Sequence, residues 1–185
     1  TGKKSIQVQT SNRVMTLNLI NKNLVAVDMG VPELDPPAIP FQATEAASLY
    51  DIDVNGQVQR IAAVSMGNPH AVLTVADINT ATVAELGAAL ESHERFPNRV
   101  NVGFMQIVDR SEIKLRVFER GVGETDACGS GACAAAVAAI QQELVDSPVT
   151  VHLTRGPLKI DWKGSGSPLI MSGPAKTVFH GRIRI

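Results

Sequence analysis

The chain has 185 residues, 44% of them hydrophobic and 19% charged, which is typical of a globular protein. Its net charge of -1 and its aromatic content of 4% favour neither a nucleic-acid surface nor a base-stacking platform. No apolar run approaches the roughly 20 residues of a membrane helix. Two cysteines and four scattered histidines predict no disulfide scaffold, no metal site and a cytoplasmic protein with reduced thiols.

The first part of the chain predicts strands. Residues 5–9 and 14–20 alternate polar and apolar side chains, and residues 24–29 follow a turn as an antiparallel partner. Residues 30–40 contain four prolines and predict an irregular linker at a lobe boundary. We expect this linker and the two chain ends to be poorly packed.

The remainder predicts more strands and two helices. Residues 49–54 and 57–65 flank Asn55-Gly56, a strong hairpin signal. Apolar spacing predicts one helix over 82–90 and another from Gly131 through Leu144. Further strands are predicted over 70–75, 100–108, 113–118, 149–153, 158–162, 169–171 and 178–185. Many strands, two helices and no regular βαβ alternation predict an α+β fold in which antiparallel strands wrap around a central helix.

The segment 119–133 carries the strongest chemical signal. Glu119 and Arg120 end a strand, a glycine-rich loop follows, and Cys128 precedes Gly-Ser-Gly at the start of an alanine-rich helix. Helix N-termini attract anions, and glycines let a ligand approach the backbone closely. A thiol there is expected to have a lowered pKa. The segment therefore predicts a bound carboxylate beside a thiolate base; the alternative is a small buried residue in a tight turn.

For each of the other candidate site residues, taken alone, the evidence for a functional role is weaker. Asn68 precedes a proline, which holds its backbone extended and leaves its amide free to point into a cleft. His70 alone fits a satisfied core histidine, and Asn101 alone fits a turn cap. His93 lies in a loop and favours a structural role, while Cys133 lies among alanines and is predicted to pack in the core.

Four ordered motifs together resemble the bacterial diaminopimelate epimerases, over essentially the whole chain. The motifs are Gly67-Asn68-Pro69-His70, Glu91-Ser92-His93-Glu94-Arg95-Phe96-Pro97, Asn101-Val102-Gly103-Phe104 and the segment 119–133. The resemblance extends to Trp162-Lys163-Gly164 and to Met171-Ser172-Gly173-Pro174-Ala175.

This resemblance implies a cytoplasmic, homodimeric isomerase of lysine and peptidoglycan precursor biosynthesis that needs no cofactor and no metal. Its substrate would be diaminopimelate, interconverted between LL and meso forms by two cysteines flanking the α-carbon in a cleft between two similar lobes. The resemblance assigns catalytic roles to Cys128, Glu119 and His70. It assigns substrate binding to Asn68, Asn101, Glu119, Arg120, Gly129 and Ser130.

One part of the family pattern is missing. The family's other catalytic cysteine belongs to a Cys-Gly-Asn-Gly motif that this sequence lacks. Cys133 cannot replace it, because five residues along a helix separate two positions by about 140° and roughly 7.5 Å. We therefore expect residues 1–30 to be remnant strands of the N-terminal lobe and residues 31–173 to be the C-terminal lobe. Residues 174–185 are expected to return to the first lobe as a final strand, and the isolated chain is expected to be inactive.

Two alternatives stay open. Another racemase or isomerase of the same fold would use a similar half-site on a different substrate, and turnover of diaminopimelate against proline separates the two. A binding module that keeps half a site without catalysis is favoured by the missing thiol, and an activity assay tests it.

Overall fold

The structure is a computed structural model, and it describes residues 2–10 and 14–184. The strands in these ranges are β1 Ser5–Gln9, β2 Val14–Asn21, β3 Leu24–Asp28, β4 Tyr50–Val54, β5 Gln57–Ser65, β6 Pro69–Thr74, β7 Asn101–Ile107, β8 Glu112–Glu119, β9 Gly123–Thr125, β10 Val149–Leu153, β11 Gly156–Trp162 and β12 Leu169–Pro174. The α-helices in the same ranges are α1 Val83–Glu91 and α2 Gly129–Gln141.

The described strands form one mixed sheet. Its order is β1-β2-β3-β12-β11-β10-β8-β7-β6-β5-β4, with β9 paired to β8. The pairs β6–β7 and β8–β10 are parallel. Parallel neighbours need a crossover connection, and here α1 lies in the first crossover and α2 in the second. The expectation of antiparallel strands alone was therefore wrong for these two pairs.

The two helices lie on opposite faces of the sheet. Along β5, Ala62 and Val64 pack in the cluster around α2, whereas Ile61 and Ala63 pack in a second cluster with residues of α1. Side chains alternate between faces along a strand, so both faces of this part of the sheet are buried. The α2 helix contacts β5 to β8 and β10 to β12.

Helix α2 is apolar on all sides. Its residues 131–139 are all buried, and most are alanines. An all-round apolar helix is typical of a buried position, and small side chains let neighbouring strands approach it. In residues 2–10 and 14–184 neither helix is long and apolar enough to cross a membrane.

The proline-rich stretch is well packed, contrary to expectation. Residues 36–38 form a single 3-10 turn, and Pro36 and Ile39 are buried. Glu33 and Ser65 exchange two backbone hydrogen bonds of 2.9 Å, which attach the stretch to β5. Proline prevents regular structure but keeps an apolar ring, so the stretch closes the core beside α1 without being a helix or a strand.

The strand predicted over 178–185 is absent from its described part. Residues 175–184 have no regular secondary structure, and β12 ends where Pro174 pairs with Leu24. Val178 is 89% exposed, and no described strand pairs with this segment. The strands predicted before residue 30 are confirmed as β1 to β3, and β3 joins β12 in the same sheet. The division of the chain after residues 30 and 173 stays a prediction.

Candidate active site

Cys128 is the residue directly before α2. Its backbone is extended, with φ -139° and ψ 104°, and its carbonyl oxygen accepts a 3.0 Å hydrogen bond from the N–H of Ala132. The helix therefore begins at Gly129, two residues before the predicted start. The N–H groups of Gly129 and Ser130 belong to the first turn, where a helix provides no acceptor of its own. These two groups are thus positioned to bind an anion next to the thiol.

The Cys128 thiol is buried, with 6% of the residue exposed. Burial raises the pKa of this thiol, contacts with the Gly131 N–H and the Ser130 hydroxyl lower it, and the nearby Glu119 carboxylate raises it. The net direction is upward from the ordinary value. The lowered pKa predicted from helix-terminal placement was therefore wrong, because desolvation outweighs the helix terminus. The thiol is protonated at neutral pH.

The glycines after Cys128 make room for the protein's own side chains. A Cβ at Gly131 would lie 3.0 Å from Val117 Cγ2 and 3.2 Å from the Cys128 sulfur. A Cβ at Gly129 would lie 3.3 Å from the Met171 sulfur. A methyl group at residue 131 would therefore crowd both Val117 and the Cys128 sulfur, a packing reason for glycine that was not predicted.

Asn68 lies between β6 and the start of α2. Its Nδ2 donates to Ser130 Oγ at 3.4 Å, and its Oδ1 lies 3.2 Å from Nε2 of His70. Together with Arg120 and others it lines an open cleft of about 490 Å³. Asn68 thus lies at a cleft, but its amide is held by Ser130 and His70 and is not free, as had been expected.

His70 is fully buried on β6. Burial and then the charge of Arg120 lower the pKa of His70 from 6.5 to about 3, so its ring is neutral. Its Nε2 faces the Asn68 amide, while its Nδ1 has no hydrogen-bond partner among residues 2–10 and 14–184. The ring thus lies behind Asn68, out of contact with solvent.

Asn101 connects three strands at one end of the sheet. It is the first residue of β7 and is 4% exposed. Its Nδ2 donates to the carbonyl of Pro69 at 3.0 Å, and its Oδ1 accepts the N–H of Arg120 at 3.1 Å. The exposed Arg120 side chain donates to the carbonyl of Asn98 at 2.8 Å. Asn101 therefore fixes the position from which Arg120 extends.

Glu119 ends β8 close to the thiol. Its carboxylate accepts a hydrogen bond from the Thr125 hydroxyl on β9. Residues 123–125 were not predicted as a strand, and their pairing with β8 turns the chain back toward Cys128. The hairpin thus brings Glu119 and Cys128, nine residues apart in the sequence, into one electrostatic environment.

The side-chain contacts of three residues were not predicted, although the family resemblance had already assigned Ser130 to substrate binding. The Ser130 hydroxyl contacts both Asn68 and Cys128, and the Thr125 hydroxyl binds Glu119. At the end of α1, Glu91 accepts the N–H of Gly121 at 2.5 Å and holds the loop after β8. A signal for Ser130 did exist, because it is the first polar side chain of an otherwise apolar helix start.

Cys133 and His93, for which structural roles were predicted, have such roles in the structure. Cys133 is 0% exposed in the α2 core, and neither cysteine forms a disulfide. His93 donates through Nε2 to the carbonyl of Asp53 at 2.8 Å and accepts the N–H of Arg95 on Nδ1 at 3.2 Å. Within the described ranges no three His, Cys, Asp or Glu side chains gather as a metal site requires.

The fold is shared with racemases and epimerases of known structure. A probable proline racemase from Agrobacterium radiobacter K84 superposes with a TM-score of 0.63 at 17% identity, over 100% of this chain and 62% of that one. A phenazine biosynthesis protein from Bacillus anthracis superposes with a TM-score of 0.59 at 12% identity, over 95% of this chain and 68% of that one. At these identities the likeness establishes the fold alone.

The particular family follows from the sequence comparison. The family model described as diaminopimelate epimerase matches residues 62–178. Proteins named diaminopimelate epimerase from Pseudomonas entomophila (strain L48) and Pseudomonas fluorescens (strain Pf0-1) are 56% and 55% identical over 185 residues. Each alignment covers 100% of this chain and 67% of the relative. The chain belongs to the diaminopimelate epimerase family.

Proposed function

We propose that this chain supplies one half of the active site of a cofactor-independent enzyme that interconverts LL- and meso-diaminopimelate. The observation that carries the proposal is the Cys128 thiol at the start of α2, flanked by two helix-terminal N–H groups and by Glu119. Family membership supports the substrate, which the relatives' name specifies.

The helix terminus would hold the α-carboxylate of the substrate. When the α-proton leaves, its electron pair spreads into that carboxylate, and the N–H groups of Gly129 and Ser130 stabilise the added negative charge. Hydrogen-bond donors that already point at the position where charge develops contribute strongly to catalysis in a site shielded from water. This role follows from local geometry as well as from the family resemblance.

Inversion requires two proton-transfer groups on opposite faces of the carbon. One group takes the α-proton and the other delivers a proton to the opposite face, each step contributing roughly 10²–10⁴-fold. Cys128 is protonated in the described state and is ready to donate; in the reverse direction it accepts. Glu119 lies beside it and takes part in setting the charge at the sulfur.

The second group comes from outside this sequence. Cys133 is the only other cysteine, and its burial at 0% exposure in α2 keeps it from any substrate. The chain alone would therefore bind substrate and exchange a proton on one face without inverting the carbon. The exposed strand β1 and the exposed segment 175–184, which has no regular secondary structure, support the assignment of residues 1–30 and 174–185 to the N-terminal lobe, with strands of the C-terminal lobe wrapped around α2.

The distal end of the substrate would bind along the cleft. Arg120 offers a guanidinium for the second carboxylate, and Asn68 offers an amide between this cleft and the thiol. Asn101 holds the Arg120 backbone and acts as a positioning residue. A second charged head group distinguishes diaminopimelate from proline, and this favours the family's substrate over the same-fold alternative. The full-length protein would act in the cytoplasm as a homodimer.

Hydrogen exchange in deuterated water tests the proposal. The chain is incubated separately with LL- and with meso-diaminopimelate, and α-deuterium incorporation and formation of the opposite isomer are followed. We expect slow incorporation only into the isomer whose α-proton faces Cys128, without inversion, with loss of this incorporation in Cys128→Ala and retention in Cys133→Ala. Proline in the same assay should incorporate nothing.

Two results would contradict it. Efficient meso formation by this chain would mean that the second acid lies within these residues. Absence of exchange at every pH, with wild type equal to Cys128→Ala, would favour the non-catalytic binding module.

A further inference from the structure

A line of hydrogen-bonding groups runs from buried His70, near the start of β6, to the sulfur of Cys128. The His70 Nε2 lies 3.2 Å from Asn68 Oδ1, Asn68 Nδ2 lies 3.4 Å from Ser130 Oγ, and Ser130 Oγ lies 3.7 Å from the Cys128 sulfur. These four residues come from two separate segments of the chain, 68–70 and 128–130. The fold therefore joins a fully buried imidazole to an active-site thiol through two intervening polar side chains.

The tautomer of the buried His70 ring determines the direction in which the hydrogen bonds along this line are donated. If Nε2 of His70 carries the proton, the orphaned Nδ1 is an acceptor without a partner; in the opposite tautomer it would be a buried N–H donor without one. Orphaned buried N–H groups are rarer than orphaned acceptors. The Nε2–H therefore donates to the oxygen of Asn68, and the Asn68 amide donates to Ser130. The hydroxyl hydrogen of Ser130 is then free to point at the sulfur.

We propose that His70, Asn68 and Ser130 form a directional relay of positioning residues that ends in a hydroxyl hydrogen donated to Cys128. The relay rests on the proposed function, since it matters for catalysis only if Cys128 transfers protons. Its purpose would be to favour the thiolate in a pocket that otherwise disfavours it. His70 would act through Asn68, without touching the substrate.

The electrostatics of the pocket agree with this role. Burial raises the pKa of the Cys128 thiol and the Glu119 carboxylate on β8 raises it further, while the Ser130 hydroxyl and the Gly131 N–H within α2 lower it. From β6 the imidazole of His70 is neutral, and the Arg120 cation at the end of β8 acts on that ring. Ser130 is thus the side chain that opposes the unfavourable environment of the thiolate.

The test is the titration of Cys128 in the chain without substrate. The rate of alkylation by iodoacetamide is measured from pH 6 to 11, and the label is located on Cys128 by fragmentation mass spectrometry. Ser130→Ala removes a hydrogen bond donated to the thiolate, so it should raise the pKa of Cys128 by about one unit. The rate at pH 8 would then fall about tenfold, Ser130→Thr should restore it, and Ser48→Ala on the exposed surface should leave it unchanged.

A double-mutant cycle tests whether Asn68 acts through Ser130. Asn68→Ala should lower the rate at pH 8 about threefold, and it should have no further effect when added to Ser130→Ala. Additive effects, an unchanged titration in Ser130→Ala, or failure of Ser130→Thr to restore the rate would each overturn the relay. Since no substrate is present, these results are independent of deuterium exchange: a chain that shows the shift but exchanges nothing would refute the proposed function alone.

Discussion

The sulfur of Cys128 lies 3.7 Å from the hydroxyl oxygen of Ser130, in the first turn of a helix whose residues 131–139 are buried. The helix terminus favours a negative charge at the sulfur, and the surrounding core disfavours it. In the described state the core prevails and the thiol keeps its proton. Loss of the proton from this sulfur therefore depends on groups of a bound substrate or on neighbouring hydrogen-bond donors such as the Ser130 hydroxyl.

The two cysteines should differ in their reaction with an alkylating agent. Because its pKa is raised, Cys128 should react more slowly at pH 7 than a free thiol, and its rate should rise about tenfold per pH unit until the pKa is passed. Cys133 is 0% exposed and should be labelled only on unfolding. Iodoacetamide labelling followed by mass spectrometry, with and without urea, measures both. Equal rates in the folded chain would contradict the assignment, and loss of slow labelling in Cys128→Ala is the control.

Buried His70 should make the fold sensitive to acid. Its pKa is 6.5 when unfolded and about 3 when folded, so above pH 6.5 it is neutral in both states and has no effect. Below pH 6.5 only the unfolded state binds the proton, and the free energy of unfolding should fall by about 1.4 kcal/mol per pH unit toward pH 3. Urea unfolding at pH 7, 6 and 5 measures this slope.

The variant His70→Gln, which lacks the ionisable ring, tests whether this pH dependence of the free energy of unfolding comes from His70. The free energy of unfolding of this variant should be lower than that of wild type at pH 7, because glutamine replaces a packed ring. The difference between the two free energies should be smaller at pH 5, because acid destabilises only the wild type through His70. His180→Gln changes an exposed residue and should keep the wild-type slope. A constant gap between wild type and His70→Gln at all three pH values would contradict the buried neutral ring.

The sequence predicted most of the helices and strands, but it did not predict which strands pair with each other. The pattern over 57–65 predicted β5 with its observed bounds, and Asn55-Gly56 takes positive φ values of 55° and 79°, as its hairpin requires. Strand pairing depends on contacts distant in sequence, so the parallel neighbours β6–β7 were not predicted. The apolar alternation over 178–185 predicted a strand, but it carries no information on whether a partner edge is present.

For the candidate site, too, some features could be predicted from the sequence and others required the fold. The placement of Cys128 at a helix start followed from the residues after it, whereas the direction of its pKa depended on burial by strands elsewhere in the chain. Asn101 and Glu119 could be chosen by family resemblance, yet their bonds to Arg120 and Thr125 required the fold. Residue type, spacing and family resemblance thus selected the candidate residues, and the three-dimensional arrangement determined their contacts and electrostatics.

Asn101 should be important for stability as well as for the cleft. Asn101→Ala removes the partners of the Pro69 carbonyl and the Arg120 N–H in a position that is 4% exposed. An unsatisfied buried group costs about 1–3 kcal/mol, so the free energy of unfolding should fall by roughly 2–4 kcal/mol. Urea unfolding measures the loss, with Asn79→Ala on the surface as control. A loss of under about 0.5 kcal/mol would show that water or neighbouring groups replace both bonds.

The two glycines at the start of α2 should differ in how strongly replacement by alanine changes stability. At residue 131 the added methyl would lie 3.0 Å from Val117 and 3.2 Å from the Cys128 sulfur, inside a packed core. Overpacking costs about 1–3 kcal/mol, which exceeds the gain of up to about 1 kcal/mol from replacing glycine in a helix. Gly131→Ala should therefore be destabilised and should move the sulfur. At residue 129 the nearest atoms belong to the flexible Met171 side chain, so Gly129→Ala should stay within about 0.5 kcal/mol of wild type.

Urea unfolding and the pH profile of Cys128 alkylation measure the two consequences separately. Gly131→Ala should lower the free energy of unfolding and change the alkylation profile, because the sulfur shifts relative to the Ser130 hydroxyl. Gly129→Ala should keep both close to wild type, since its first-turn N–H group is unchanged. If Gly131→Ala proved as stable as Gly129→Ala with an unaltered profile, the close contact between residue 131 and the sulfur would not exist in solution.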